Sequence, residues 1–200
     1  MTLTHEQGSD IVRYARQVIE GHFSRRKPKV PDTLEALFQE NRGVFVTLKT
    51  VGGDLRGCIG YPEPTHTLGE AVEGSAKSAA LEDPRFPRVE ASEMDNLLVE
   101  VSVLTKPELV TVQDPRDYRK KIVVGRDGLI AELGWSRGLL LPQVPVEWKW
   151  DAGEFIKHTC DKAGLPATAY LTKGFKLYSF TAQVFSEESP RGKAVEEKLN

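Results

Sequence analysis

The segment Leu55–Gly60, with the sequence LRGCIG, constrains this chain more than any other. It follows a Gly52-Gly53 pair, and in the apolar-rich run 44–48 before that pair Val44, Val46 and Leu48 face one side. A Gly-Gly pair between two apolar runs predicts a β-hairpin. If Arg56 and Cys58 are both extended, their side chains leave the same face, which would hold a guanidinium near a thiol. The segment therefore predicts a strand and a candidate reactive site together.

Three segments have the spacing of a helix-capping box, followed by apolar residues at helical intervals. They begin at Thr4, at Thr67 and, with Asp in the capping position, at Asp151. We expect the first helix to stop near Gly21 and the second before Pro84, because proline disfavours helical backbone at the residue before it. The sequence therefore predicts three amphipathic helices.

Strand patterns alternate with these helices. Runs at 97–105 and 175–185 are rich in β-branched and aromatic residues. The Asp127-Gly128 pair lies between two short apolar runs, 122–126 and 129–132, and predicts a second hairpin turn. The sequence therefore predicts strands as well as helices.

The two halves of the chain resemble each other at an offset of about 80 residues. Arg56-Gly57 in the first half corresponds to Arg137-Gly138 in the second, and a glycine–glutamate helix start recurs at 69–70 and 153–154. We expect two similar strand–helix repeats, a duplicated unit, that form two lobes around a cleft. Cys58 corresponds to Leu139, so the halves would share a scaffold without sharing chemistry.

Length, charge and cysteine content limit the class of protein. The chain has 200 residues, a net charge of −2 and two cysteines. We expect a single domain over 1–200, ordered over about 5–187, with a loose charged tail at 188–200. Two cysteines argue against a secreted disulfide scaffold, and the absence of a signal pattern or long apolar run favours a cytoplasmic protein without a membrane span. Nucleic-acid binding is disfavoured, because it rests only on Arg25, Arg26, Lys27 and Lys29.

Cys58 is the candidate catalytic nucleophile, because a neighbouring cation lowers the pKa of a thiol. The alternative is a small buried cysteine in a sheet. Arg56, Arg85 and Arg137 are candidates for binding an anionic ligand such as phosphate or carboxylate. The alternative is that each pairs with a local carboxylate. No cysteine or histidine spacing typical of a metal site occurs, so we expect neither a metal nor a cofactor.

Two further regions carry polar or aromatic candidates. Glu100 lies in the middle of an apolar strand, where a carboxylate needs a partner. It either lines a ligand site or forms a structural ion pair. The segment Trp135–Trp150, which includes Gln143, forms either a wall for a ligand or partner or part of the packing between elements.

The chain resembles the AMMECR family, named after a human chromosomal region linked to Alport syndrome, mental retardation, midface hypoplasia and elliptocytosis. The resemblance begins with Phe45–Leu48 and Leu55–Gly60 and covers nearly the whole chain. Two positions depart mildly from it. Lys149 stands where glycine is expected, and Arg126-Asp127 stands where a lysine or histidine is expected before the glycine. The other matching segments are Asp83–Phe86, Glu100–Thr105, Gly128–Ile130, Gly138–Val144, Glu147-Trp148, Trp150-Asp151 and Cys160–Leu165.

This resemblance implies an α+β protein of the cytosol with a cleft near Leu55–Gly60, and it implies no particular reaction. It also implies partners, because relatives occur beside or fused to a MEMO-like protein and a radical SAM protein. Our first hypothesis is a cleft for a small anionic ligand, with thiol-assisted chemistry at Cys58. The second is a non-enzymatic module that docks a MEMO-like or radical SAM partner through Trp135–Trp150. The candidate ligand-binding residues are Arg56, Gly57, Gly60, Arg85, Glu100, Arg137 and Gln143.

Overall fold

A computed structural model describes residues 2–197 of the chain. Its fold is α+β, as the family resemblance implies. The described residues form two compact units: 2–104 together with 183–197 make the first, and 105–182 make the second. None of the helices in residues 2–197 has both the length and the apolar character that crossing a bilayer requires.

The first unit is an antiparallel sheet packed against two helices. Its elements are α1 (His5–Ser24), β1 (Val44–Thr50), β2 (Leu55–Tyr61), α2 (Leu68–Leu81), β3 (Leu97–Leu104), the last part of β7 (Lys176–Glu187) and β8 (Ala194–Glu197). Strand β1 lies between β2 and β3. The side chains that alternate inward from β1 and β3 form one core with α1 and α2: Val44, Val46, Leu48, Val99, Val101 and Val103.

Both helices of this unit begin where the sequence predicts. Thr4 and Thr67 each cap a helix with the complete reciprocal hydrogen bonds of a capping box. The predicted stop at Gly21 is wrong by one turn. The helix continues to Ser24 and ends where Arg25 adopts left-handed backbone with a φ of 55° and donates its N–H to the carbonyl of Gly21.

The second unit repeats the strand and helix types. Its elements are β4 (Glu108-Leu109), α3 (Tyr118–Lys121), β5 (Asp127–Leu133), β6 (Ser136–Leu140), α4 (Gln143–Glu147), α5 (Ala152–Lys162) and the first part of β7. Strand β5 lies between β6 and β7, and all of these pairings are antiparallel. Helix α5 begins with the predicted capping box at Asp151.

The hairpin turn predicted at Asp127-Gly128 is wrong. Both residues belong to β5, and the turn that joins β5 to β6 is Gly134-Trp135. Asp127 instead accepts the N–H of Val123 at 2.8 Å. Gly128 lies against the ring of Phe180, where a Cβ atom would come within 2.3 Å of the ring. Close packing, not a turn, is therefore what glycine provides at position 128.

The C-terminal region contains more regular structure than the expected charged tail. Residues 194–197 form β8 and pair with the end of β7. The buried guanidinium of Arg16 binds Glu187 on β7, with a distance of 2.6 Å from Nε to Oε1. This pair joins α1 to β7, and the pairing of β8 with β7 extends the first unit past residue 187. The last part of the expected tail, 198–200, lies outside the described residues.

Candidate functional site

Cys58 lies on β2, a strand that has β1 on one side only. The neighbouring residue Gly57 faces α2, because a Cβ atom there would lie 2.1 Å from the carbonyl oxygen of Ala79. Side chains alternate along a strand, so the Cys58 thiol leaves the sheet on the opposite, outer face. It is half-buried there, and the Thr47 hydroxyl donates a hydrogen bond to its sulfur at 3.3 Å.

The register extends this contact into a row of three polar side chains on the outer face. Cys58 lies opposite Thr47 on β1, and Thr47 lies opposite Glu100 on β3. We call Cys58, Thr47 and Glu100 the polar row. The Glu100 carboxylate accepts a hydrogen bond from Lys49 Nζ at 2.6 Å, and its side chain is 7% exposed against 35% for Lys49. The row therefore joins a half-buried thiol to a buried ion pair.

Two side chains from the loop after α2 hold the free edge of β2. Asp83 Oδ2 accepts the backbone N–H of Cys58 at 2.8 Å, and Arg85 Nη2 donates to the carbonyl oxygen of Cys58 at 3.0 Å. Arg85 and Asp83 also pair with each other, with Nη2 to Oδ2 at 2.7 Å. The two side chains thus satisfy the backbone groups of Cys58 that a further strand would otherwise pair with. The backbone at the thiol is fixed as a result.

This pairing governs the ionisation of Asp83. Its side chain is 2% exposed. The hydrogen bonds from the Arg85 guanidinium hold the pKa of Asp83 well below its usual range, against the opposing effect of burial, and the Cys58 N–H adds to them. The same contact raises the pKa of Arg85. Asp83 is therefore a permanently charged acceptor at ordinary pH.

Arg56 binds the same loop further along. Its guanidinium makes two hydrogen bonds with Glu93, at 2.9 and 3.0 Å, and donates to the carbonyl oxygen of Pro87 at 2.8 Å. The Arg56 guanidinium lowers the pKa of Glu93. The register of β1 and β2 shifts beside Leu48 and leaves Arg56 without a partner on β1. Strict alternation between Arg56 and Cys58, on which the predicted guanidinium–thiol contact depends, does not hold at this bulge.

Gly60 completes the segment. A Cβ atom there would lie 2.4 Å from both the ring of Phe45 and the carbonyl oxygen of Val44. Glycine at 57 lets a helix approach β2, and glycine at 60 makes room for the neighbouring strand. Both glycines therefore have a packing reason within the first unit.

The structure brings six candidates into the first unit: Arg56, Gly57, Cys58, Gly60, Arg85 and Glu100. Arg137 and Gln143 belong to the second unit. Arg137 pairs with Glu132 on the adjacent strand and lies over the ring of Tyr178, 5.4 Å from its centroid. Lys176 binds the other oxygen of Glu132 at 2.9 Å, and this contact, more than Arg137, lowers the pKa of Glu132. The Oε1 atom of Gln143 is buried and has no hydrogen-bond partner among the described residues.

The segment 135–150 contains strand, helix and exposed aromatic side chains. Trp135 stands at the tip of the β5–β6 hairpin and is 104% exposed, and Trp148 is 67% exposed. Trp148 stacks on Trp150 with ring centroids 6.0 Å apart, and Trp150 stacks on His158 at 3.9 Å. The segment therefore presents two large aromatic side chains to solvent.

Sequence reasoning missed three features of the site. These are the presence of Thr47, the presence of Lys49, and the hydrogen bond between Asp83 and the Cys58 backbone. A signal for Thr47 exists, because counting outward from the Gly52-Gly53 turn pairs position 47 with position 58. The other two contacts depend on how the strands and the loop come together. Within residues 2–197, no group of three or more His, Cys, Asp and Glu side chains is arranged to hold a metal ion.

Comparison with known proteins gives one family. The AMMECR1 family model matches residues 12–185. A protein of Methanocaldococcus jannaschii is 53% identical over 198 residues, which cover 98% of each chain. A protein of Methanothermobacter thermautotrophicus is 51% identical over 187 residues, covering 93% of this chain and 97% of its own. The crystal structure of an uncharacterised protein from Pyrococcus horikoshii has a TM-score of 0.88 and 48% identity, and the match covers 98% of each chain.

Proposed function

This chain belongs to the AMMECR1 family, and from that premise we propose that it binds a small anionic ligand on the outer face of β1 and β2, beside the Cys58 thiol. One observation carries the proposal: the polar row occurs in only one of two similar settings. In the second unit, Gly138 contacts α5 as Gly57 contacts α2, and the next residue, Leu139, lies opposite Ile130. Ile130 in turn lies opposite Tyr178. The same kind of scaffold is therefore built there without the polar row, so the fold alone does not require it.

Burial of polar groups supports a functional reason for the polar row. Thr47 and Glu100 are both buried on the outer face. A buried carboxylate costs free energy unless it is paired, and apolar residues of similar volume usually serve stability as well or better. The Glu100–Lys49 ion pair keeps a cation on the face from which the thiol projects, on a side chain that is 35% exposed. In the proposal, Lys49 attracts the anionic group of the ligand.

The proposed chemistry uses the thiolate of Cys58, because the thiolate is the nucleophilic form. The thiol loses its proton to solvent, and the sulfur then adds to a carbonyl carbon of the bound ligand. A C–S bond forms, the π electron pair of the carbonyl moves to its oxygen, and that oxygen takes a proton from solvent. The Thr47 hydroxyl, which already donates to the sulfur, stabilises the negative charge. Arg85 and Arg56 act as positioning residues, since they hold the backbone of β2 and the following loop. The backbone N–H groups near Gly57 and Gly60 are the proposed close contacts of the ligand.

The test is the alkylation rate of Cys58 against pH, measured in Cys160→Ala protein so that one thiol reports. Thr47→Val removes the hydroxyl at nearly constant volume, and Thr47→Ser is the matched control that keeps it. We expect Cys58 to be alkylated in the folded protein and the rate to fall in Thr47→Val alone, because the Thr47 hydroxyl that donates to the sulfur stabilises the thiolate. A thiol that reacts only when the protein unfolds would contradict the proposal.

We propose as a second candidate function a docking module, because Trp135 and Trp148 are exposed. Exposed tryptophans are enriched at the centres of protein interfaces. The partners implied by the family resemblance are a MEMO-like protein and a radical SAM protein. Trp135→Ala should abolish co-purification with one of them, whereas Leu171→Ala, at another exposed apolar side chain of this unit, should not. Equal recovery of the partner with both variants would contradict this function.

We also propose that the two units arose by duplication of one strand–strand–helix–strand module. The supporting observations are the order β1-β2-α2-β3 in the first unit, the order β5-β6-α5-β7 in the second, where the short helix α4 is added between β6 and α5, and the capping boxes that start α2 and α5. A cytoplasmic location is part of the same proposal. It is supported by the two cysteines, which are free thiols, as is usual in reducing compartments.

A further inference from the structure

A basic groove lies in the first unit, in a region that the proposed function does not use. It has a volume of about 480 Å³ and lies between the end of α1, the segment 25–28 that follows it, and α2. This volume is within the range of pockets that hold small molecules. We call it the basic groove, and its charged lining residues are Arg25, Arg26, Lys27, Lys77 and Glu73.

The backbone fixes where these cations emerge. Arg25 and Arg26 both donate their N–H groups to the carbonyl of Gly21, the second at 3.0 Å, so the chain turns sharply at the end of α1. A Cβ atom at Gly21 would lie 2.3 Å from the carbonyl oxygen of Arg26, so the tight turn depends on glycine there. Three consecutive cationic residues therefore leave a rigid turn beside the groove.

The charge of the groove is not compensated. Glu73 pairs with Lys77 at 2.6 Å. Within residues 2–197, Arg25, Arg26 and Lys27 have no carboxylate within salt-bridge distance. Six other arginines of the same unit do have one, and the chain as a whole has a net charge of −2. Those six are Arg13, Arg16, Arg42, Arg56, Arg85 and Arg191.

The surroundings select the kind of anion. The groove lies at the end of α1, whose carbonyl groups carry a partial negative charge of roughly half an electron. This half charge repels any anion, but the three cations exceed it, so the net attraction is to anions and increases with the number of negative charges on the ligand. The adjoining cavity shares Tyr14 with the groove and is lined by Glu35 and Glu70. These carboxylates would repel a polyphosphate chain that continued beyond the groove.

We propose that the basic groove binds a compact phosphorylated metabolite with two or three phosphate groups. Guanidinium groups bind phosphate oxygens through paired hydrogen bonds, and the ammonium of Lys27 adds a point charge. The acidic neighbouring cavity favours such a compact ligand over a nucleic-acid strand. The groove is separate from the polar row in the sequence and in its residues, so the two proposals stand or fall independently.

The test is calorimetric titration of the whole chain with inorganic tripolyphosphate, pyrophosphate and orthophosphate at low ionic strength. The variant Arg26→Gln/Lys27→Gln removes two exposed cations and leaves the backbone bond of Arg26 in place. Its matched control, Lys106→Gln/Lys173→Gln, removes two exposed cations of the second unit and gives the same net charge. Equal thermal midpoints of the three proteins establish that each is folded.

We expect tripolyphosphate to bind more tightly than orthophosphate, and its affinity to fall about tenfold or more in Arg26→Gln/Lys27→Gln but not in the control. Three results would overturn the proposal. The first is no binding of tripolyphosphate to the wild-type chain. The second is an equal loss of affinity in variant and control, which would indicate general attraction only. The third is tighter binding of single-stranded RNA than of tripolyphosphate, lost in the same variant, which would assign the groove to nucleic acid.

Discussion

The two hairpin-and-helix regions of this molecule use the same backbone arrangement for different side chains. In each, a glycine on the second strand lies against backbone in or just after a later helix: Gly57 against Ala79 of α2, and Gly138 against Ala163, the residue after α5. The next position bears a thiol in the first region and Leu139 in the second. On the neighbouring strands the first region has Thr47 and Glu100, the rest of the polar row, whereas the second region has Ile130 and Tyr178 at the matching positions. The glycine contact therefore belongs to the scaffold, and the polar row is an addition to it.

The largest expected effect tests the shared scaffold. Gly57→Ala and Gly138→Ala would place a Cβ atom 2.1 Å and 2.3 Å from backbone atoms of α2 and of the residue after α5. Backbone cannot move aside as a side chain can, so we expect each substitution to lower the free energy of unfolding by about 3 kcal/mol. Gly52→Ala, whose nearest neighbour atom would be at 3.5 Å, should change it by less than about 0.5 kcal/mol. Urea unfolding measures all three, and a large loss in only one region would refute the equivalence.

The second largest effect compares Asp83 in the first region with Glu132 in the second. Asp83→Asn leaves the Arg85 guanidinium and the Cys58 N–H without their charged acceptor, and we expect a loss of about 2 to 3 kcal/mol. Glu132→Gln in the second region interrupts a more exposed cluster with Arg137 and Lys176, and should cost less than about 1 kcal/mol. Similar losses for the two variants in urea unfolding would show that the contact of Asp83 with the edge of β2 contributes no more to stability than the exposed cluster around Glu132.

The pH dependence of stability follows from the pKa of Asp83. Its folded pKa is lowered by Arg85, so the folded state binds the proton less readily than the unfolded state does. The stabilisation is therefore fully present above the unfolded pKa of about 3.9 and is lost as the pH falls through the folded value. The difference in stability between wild type and Asp83→Asn should shrink progressively below about pH 4. A difference that stays constant down to the acid transition would contradict this assignment.

The smallest effect tests whether the polar row serves stability. Thr47→Val with Cys58→Ala removes the hydroxyl and the thiol from the polar row and leaves Glu100 with its partner Lys49. We expect the free energy of unfolding to change by less than about 1 kcal/mol. The reverse change, Ile130→Thr, buries a hydroxyl in the other region and should cost about 2 kcal/mol, because Ile130 is fully buried on its strand between Leu139 and Tyr178. A loss of several kcal/mol in the first variant would assign the polar row to structure and remove the main support for the proposed site.

Part of the site follows from the sequence and part does not. Alternation along β1 and the position of the Gly52-Gly53 turn place Thr47 beside Cys58, and the structure agrees. The partner of Glu100 could not be inferred, because Lys49 is 51 residues away and reaches it only across paired strands. Arg56 was expected to face the thiol, yet the bulge in β2 interrupts the alternation on which that expectation depends. A bulge has no distinct local pattern in this sequence.

The sequence by itself determined the starts of α1, α2 and α5 and the alternation of side chains along β1 and β3, and the family resemblance implied the class of fold. The helix starts and the alternation depend on residues three or four apart, or on neighbours within one strand, so the signal is local. Only the tertiary structure decided that Asp83 and Arg85 would bind the edge of β2, that Glu93 would pair with Arg56, and that the second hairpin would turn at Gly134. Partners far apart in sequence meet only once the sheets have formed, and several registers and charge pairings satisfy the same local pattern until packing selects one.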